Sequence, residues 1–499
     1  MFDDIKSLIK HTSIYSIGNI ISKALNVLLV PVYTKYIPVN MFGIYSIIQV
    51  TKQFILGILP FGLRNALIRW ISLENSQEKK DSILFSTTMT VLLIGLVIVL
   101  LTLVVKSSIS QLISGSTKFE NSIFIVSVVI LLKLVNQIGM MHIRYKERSI
   151  LFISISISKF LIQLLFTIYL VAFQKMGIIG IFIGQLSGEF ASILYVFPYL
   201  INNSKFSIRF NEMKKMINYG FPLTFSSISD KILNMGDRYI LGYLTNWSIV
   251  GVYSLGYKFA NLIKTIFIGA FTTAFLPKAW KKLKQKNAKR FYSKLLTYFV
   301  FFIFWVSLFI SIYSKGIIHI FARDQSYWDA ALIVPIAVFA ISIKGMFPVL
   351  KMGFEITKNT KYIAYIVTIA AGLNIILNFV LIPFFKMYGA VFATLLSFIF
   401  MVIIGYYYSH KFYPVKFEWN RIAKICIIIS GIYFISTLFN PFSLILRIVF
   451  KLILLLSYPF ILYFTDFYHE QELKRLKGAW KKWKNPKNWK KNLQDIDTK

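Results

Sequence analysis

Phe42-Gly43-Ile44-Tyr45-Ser46-Ile47 and Val250-Gly251-Val252-Tyr253-Ser254-Leu255 are one pattern met twice, 208 residues apart. The match runs without gaps over residues 18–47 and 226–255, where Lys23 falls on Lys231 and Asn26 on Asn234. Apolar residues align easily by chance. The glycine, the polar residues and the lysine carry the match. A fainter echo pairs Lys175-Met176, Phe182, Leu186 and Ser187 with Lys386-Met387, Phe392, Leu396 and Ser397.

Around this repeat the chain is apolar almost throughout. Of its 499 residues 57% are hydrophobic and 15% charged, against about 25% charged in soluble domains. A bilayer-crossing helix needs about 20 mainly apolar residues. Such stretches lie near 13–34, 42–62, 83–105, 121–141, 149–173, 177–200, 216–243, 250–276, 295–314, 328–350, 360–382, 387–408, 422–439 and 444–464, about fourteen in all. The offset of the repeat covers six of them. An even number preserves direction through the membrane, so the halves are expected to be parallel repeats. Transporters use that plan, with the site near mid-membrane between the halves.

Charge tests the count. With the N-terminus placed in the cytoplasm, the cytoplasmic segments hold 38 Lys and Arg and the opposite loops 7. That asymmetry predicts both termini to be cytoplasmic. It also accounts for the net charge of +36, since basic loops bind anionic lipid headgroups. No basic globular module exists to bind nucleic acid. Asp3 and Asp4 precede Lys6 and Lys10, and no small-residue cleavage site follows the first apolar stretch, so that stretch is expected to be a retained helix. The single cysteine, Cys426, cannot form an intramolecular disulfide.

Eleven of the 56 basic residues fall inside the spans. Each costs about 2.5–3.5 kcal/mol at the bilayer centre unless it finds a partner or water. In helix 1, Thr12, Ser16, Asn19, Lys23 and Asn26 form one helical face. Ser227, Asp230, Asn234 and Asp237 do the same in helix 7, with Lys231 and Arg238 beside them. Ser254, Lys258, Asn261 and Thr265 do so in helix 8. Lys133, Asn136 and Gln137 add to this in helix 4, as do Gln185 and Glu189 in helix 6. Such residues can pair with each other and hold helices together. Cations outnumber the carboxylates, however, and the surplus predicts a wet, electropositive cavity between the halves. Lys23, Asn26, Lys231, Asn234, Arg238, Lys258 and Asn261 are the expected substrate-binding residues. Asp230, Asp237 and Glu189 are the expected ion-coupling ones; Asp237 could equally serve only to neutralise a neighbouring cation.

Pro222, then Asp237-Arg238, then Gly251-Val252-Tyr253-Ser254 resembles helices 7 and 8 of bacterial polysaccharide-biosynthesis flippases. Pro31 followed by Phe42-Gly43-Ile44-Tyr45-Ser46 carries the same resemblance in the first half. Those proteins belong to the multidrug/oligosaccharidyl-lipid/polysaccharide exporter superfamily. The resemblance implies an all-α integral membrane fold, with two six-helix bundles in a V shape (residues 1–215 and 216–415). Two extra helices (416–465) and a basic amphipathic cytoplasmic tail (466–499) complete the expected organisation. The implied substrate is an undecaprenyl-diphosphate-linked oligosaccharide, flipped outward across the bacterial plasma membrane for capsule or O-antigen synthesis. The implied mechanism is alternating access with proton or sodium coupling and no resident cofactor. Membrane lipids and other polysaccharide-assembly membrane proteins are the implied partners.

Other readings remain open on the sequence. Peptidoglycan-precursor flippases of the superfamily resemble the chain in helix count, but their cavity is arginine-rich in the first half, where helix 1 here has Lys23. Its drug exporters favour cations and twelve helices. A membrane-embedded glycosyltransferase or polymerase would carry a sizeable aqueous loop. His11, His142, His319, His410 and His469 are scattered at span ends, and no metal spacing, phosphate loop or catalytic constellation appears.

Overall fold

The structure is a computed structural model describing residues 27–283, 285, 287–439, 442–474 and 478. In chain order its α-helices are α1 (Val30–Tyr36), α2 (Val39–Ile58), α3 (Leu63–Leu73), α4 (Gln77–Ser114), α5 (Glu120–Tyr145), α6 (Ser149–Ile168), α7 (Gly177–Asn202), α8 (Phe210–Met235), α9 (Asp237–Leu244), α10 (Trp247–Leu262), α11 (Gly269–Lys282), α12 (Ala288–Ile312), α13 (Ser314–Phe321), α14 (Ala330–Lys344), α15 (Phe347–Leu350), α16 (Met352–Ile356), α17 (Lys361–Phe412), α18 (Trp419–Leu438) and α19 (Leu444–Phe464). Most of the expected first helix, with its polar stripe, and most of the basic tail lie outside the described residues.

Ten helical segments among the described residues are long and apolar enough to cross a membrane. One of them, α17, holds two expected spans. Lys386 inside it has φ 49° and ψ −124°, which no helix accommodates. A Cβ on Gly389 would stand 2.4 Å from the Leu381 carbonyl oxygen, a separation a continuous helix would hold at about 12 Å. The chain therefore doubles back. Lys175, its counterpart in the faint echo, has φ 52°, so the Lys-Met pair marks a left-handed turn residue in both halves. Neither α8 nor α10 is among the ten: the polar stripe of helix 7 interrupts the apolar run of α8, and α10 is only 16 residues long. Leu93, Leu100 and Val104 of α4 and Leu444, Ile445 and Phe464 of α19 are exposed. Patches of that kind fit a lipid surface rather than water.

The chain divides into two compact units, Met1–Leu283 with Tyr313–Pro414, and Lys284–Ile312 with Val415–Lys499. Both halves of the repeat lie in the first unit, and α2 and α10 meet there at the repeated glycines. A Cβ on Gly43 would stand 1.9 Å from the Trp247 carbonyl oxygen, and one on Gly251 would stand 2.1 Å from that of Val39. Val39 and Trp247 are themselves 208 residues apart. The contact is reciprocal, as a two-fold relation between like elements requires. Past the other end of α2, Gly62 (φ 70°) touches Gly220, whose Cβ would fall 2.2 Å from the Phe61 carbonyl oxygen.

In the second unit α12 packs with α18 and α18 with α19. A buried polar cluster fastens them. Arg421 reaches Glu472 at 2.8 Å and Glu418 at 2.9 Å. Glu472 also accepts from Tyr298 at 2.5 Å, Lys294 at 3.1 Å and the His469 backbone N–H at 3.1 Å. Burial pushes the Glu472 carboxyl up, but these donors outweigh it and hold it at about 2. A depressed carboxyl stabilises the fold above its ordinary value near 4.5 and loses that contribution as pH falls toward 2. Protection of the α19 amides, corrected for the intrinsic exchange rate, is therefore expected to hold down to about pH 4.5 and to fall below it. Glu472→Gln should flatten this dependence, and an unchanged acid profile would count against the cluster as the fastening.

Candidate substrate cavity

The first unit contains an open cavity of about 1110 Å³. Its wall is assembled from helix faces with polar residues at helical spacing. Ser46, Gln49, Lys52 and Gln53 come from α2; Lys133, Asn136 and Gln137 from α5; Ser156, Lys159 and Gln163 from α6; and Gln185, Glu189 and Ser192 from α7. Opposite them stand Ser254, Lys258, Asn261 and, one turn on, Thr265. Steps of three and four bring such residues to one face. The expected stripe of helix 8 and the groups from helices 4 and 6 thus all lie on the wall.

Among the described residues the wall carries eight cationic side chains, Lys52, Arg64, Lys133, Arg144, Lys159, Arg238, Lys258 and Lys264, and one carboxylate, Glu189. Glu189 is buried, 2.5 Å from the Lys159 ammonium, and accepts from Asn136 Nδ2 at 2.9 Å. Lys52 is buried and donates to Gln185 Oε1. Lys258 reaches from the second half into an aromatic box of the first. Its Nζ lies 4.8, 4.9 and 5.5 Å from the ring centres of Tyr33, Phe42 and Tyr45. Among the described residues that ammonium has no hydrogen-bond partner. Desolvated cation–π contacts are worth about 2 kcal/mol, which helps hold it there.

Helix 7 differs from the expectation. Of its predicted residues only Arg238 is on the wall; Lys231 and Asn234 are not. Asp230 and Asn234 turn toward α14, where Lys344 Nζ lies 2.6 Å from Asp230 Oδ1 and 2.9 Å from Asn234 Oδ1. The Lys231 side chain lies along Gly57, where a Cβ would come 2.2 Å from its Cε. The cause is Lys344, a cation on another helix that draws the stripe toward itself. Asp237 is also off the wall. It pairs with Arg238 at 3.1 Å, accepts from Tyr253 Oη, and receives the Thr394 hydroxyl at 3.4 Å. Asn374 and Asn378 continue this network, Asn374 donating to Thr394 Oγ1 at 3.4 Å and Asn378 to Asn374 Oδ1 at 3.0 Å. Asn378 Oδ1 is buried without a partner among the described residues. Lys23 and Asn26 lie outside the described residues.

Lys52 and Lys159 are on the wall but outside the expected set of site residues, and the sequence carries a signal for both. Ser46, Gln49 and Gln53 around Lys52, and Ser156 and Gln163 around Lys159, repeat the spacing that singled out Lys258. Arg144 lies beyond the expected span 121–141, and α5 carries it to the cavity wall because the helix runs on to Tyr145.

The family described as "Polysaccharide biosynthesis protein" matches residues 8–281, and the family named MatE matches residues 222–380. The probable low-salt glycan biosynthesis flippase of Haloferax volcanii is 23% identical over 231 residues, which are 45% of this chain. The chain thus spans about half the length of that relative, 48%. A lipid II flippase solved in an inward closed conformation superposes with a TM-score of 0.73 at 18% identity, over 91% of this chain and 99% of its own. A multidrug resistance transporter in an inward-facing conformation gives 0.64 at 13% identity, over 79% and 97%. These two likenesses establish the fold. The first family match covers more than half of the chain, including the repeated glycine pattern in both halves and most of the cavity wall. On that footing the chain belongs to the polysaccharide biosynthesis protein family of the multidrug/oligosaccharidyl-lipid/polysaccharide exporter superfamily.

Proposed function

We propose that this protein is a flippase that moves undecaprenyl-diphosphate-linked oligosaccharide from the cytoplasmic to the outer leaflet of a bacterial plasma membrane, for surface polysaccharide synthesis. The observation that carries this reading is that eight cationic side chains and one carboxylate line the cavity among the described residues. Lys and Arg hold diphosphate through charge-assisted hydrogen bonds. Gln, Asn, Ser and Thr on the same wall suit sugar hydroxyls, and the polyprenyl chain can stay in lipid. The family description and the glycan flippase relative support the same reading. Arg238 and Lys258 are the diphosphate ligands assigned in the second half.

Alternating access needs an element whose ligand affinity differs between states. The network of Asp237, Thr394, Asn374 and Asn378 is the candidate for coupling to a proton or sodium ion, since Asn378 Oδ1 is an acceptor without a donor. Glu189 and Asp230, each engaged with a lysine, are better suited to positioning those lysines.

The test is leaflet-resolved translocation by purified protein in vesicles, with fluorescent undecaprenyl-diphosphate disaccharide. Lys258→Ala is expected to slow outward transfer at least about tenfold, the effect of losing one charge-assisted hydrogen bond. Transfer by the native protein no faster than in empty vesicles would remove the proposal. One observation favours a second substrate. Arg64 and Arg144 place arginines on the first-half wall, which suits a peptidoglycan lipid precursor; the same assay run with that lipid separates the two.

A further inference from the structure

We infer that the oligosaccharide carried is itself acidic, bearing a carboxylate or phosphate on a sugar, and that the α5–α6 wall around Lys133 receives that group. The inference rests on the flippase reading and begins with charge balance. On the cavity wall Lys159 is neutralised by Glu189 and Arg238 by Asp237. Lys52, Arg64, Lys133, Lys258 and Lys264 line the cavity and make no salt bridge to a carboxylate among the described residues, although Lys52 donates to Gln185 and the Lys258 ammonium is buried in its aromatic box. A lipid diphosphate brings one negative charge per phosphorus, two in all, and so leaves most of these cations uncompensated. Unpaired charge in a low-dielectric site is costly, and that cost favours a cargo with more negative charge than its anchor supplies.

Placement adds to the argument. Lys258 and Lys264 belong to the second half, whereas Lys133 lies on α5, acting electrostatically on both Lys159 and Glu189. Asn136 and Gln137 flank it, Gln163 faces the same cavity from α6, and the amides suit the ring hydroxyls of the acidic sugar. Glu189 holds Lys159 and Asn136 in place. A carboxylate on the cargo would find in Lys133 an ammonium that no salt bridge occupies.

The experiment uses the full chain in proteoliposomes and two undecaprenyl-diphosphate disaccharides of equal size. One ends in glucose and the other in glucuronate. The glucuronate probe is expected to bind about tenfold more tightly, as one added charge-assisted hydrogen bond allows, and its advantage should shrink with added salt. Lys133→Gln should lower the acidic-to-neutral ratio severalfold, and Lys133→Arg should restore it, which separates charge recognition from a folding defect. Equal binding of the two probes, or a loss in Lys133→Gln that is the same for both, would overturn the inference while leaving the flippase reading intact. Failure of both probes to bind or move would overturn both.

Discussion

Replacing Gly251 by leucine is expected to remove almost all folded protein. The first carbon of the new side chain would already fall 2.1 Å from the Val39 carbonyl oxygen, well inside contact distance. Overpacking costs about 1–3 kcal/mol where side chains can shift. Here the obstacle is backbone, so α2 and α10 must separate and the cost lies above that range. Total stability of a folded domain is only about 5–15 kcal/mol. Gly43→Leu should do the same from the other side. Because the two contacts are reciprocal, the double replacement should cost less than the sum of the singles: helices already pushed apart accept the second side chain. Yield in size-exclusion chromatography and thermal melting in detergent measure this. Gly431→Leu is the control, since a Cβ there would meet nothing within 4 Å. A Gly251→Leu protein melting like the control would show that the helices do not cross at this point.

Arg238→Ala should be nearly as damaging, for an electrostatic reason. Asp237 is 1% exposed and Arg238 5%. Removing the guanidinium leaves a buried carboxylate with Tyr253, Thr394 and the backbone N–H of residue 238 as its neutral donors among the described residues. Breaking one partner of a buried ion pair typically costs about 3–5 kcal/mol, whereas replacing both with apolar groups of similar volume is often neutral. Asp237→Leu combined with Arg238→Met is therefore expected to recover most of the stability lost in Arg238→Ala. The same double variant should abolish transport, because it removes a wall cation and the proposed coupling carboxylate together. Thermal unfolding and vesicle transfer read the two effects apart. If the double variant melted as low as Arg238→Ala, the pair would not be the source of the loss.

Much of the architecture was legible in advance because lipid imposes a simple code. Each crossing must be an apolar helix with its own backbone hydrogen bonds satisfied. Hence the spans later occupied by α4, α5, α7, α12, α18 and α19 stood out as single apolar runs, and α17 resolved into its two arms. The repeat also carried structural meaning. Gly43 and Gly251 recur because each half presents a gap at the same place to the other, and Lys175 and Lys386 recur at matching turns. The candidate site was legible in part. Ser254, Lys258, Asn261 and Thr265 reach the cavity as their spacing suggested.

Sequence alone fixed the helical class, the parallel duplication and the excess of positive charge within the membrane, since each follows from composition and period along one chain. Which polar faces look into water and which look into a neighbour was decided only in three dimensions. Helical spacing states that residues share a face, but it leaves open the rotation of the helix about its axis. Asp230 and Asn234 belong to a stripe as regular as that of Lys258, yet Lys344, more than a hundred residues away in the chain, draws them out of the cavity. Lys52 and Lys159 became part of its wall because the helices around them left that side open.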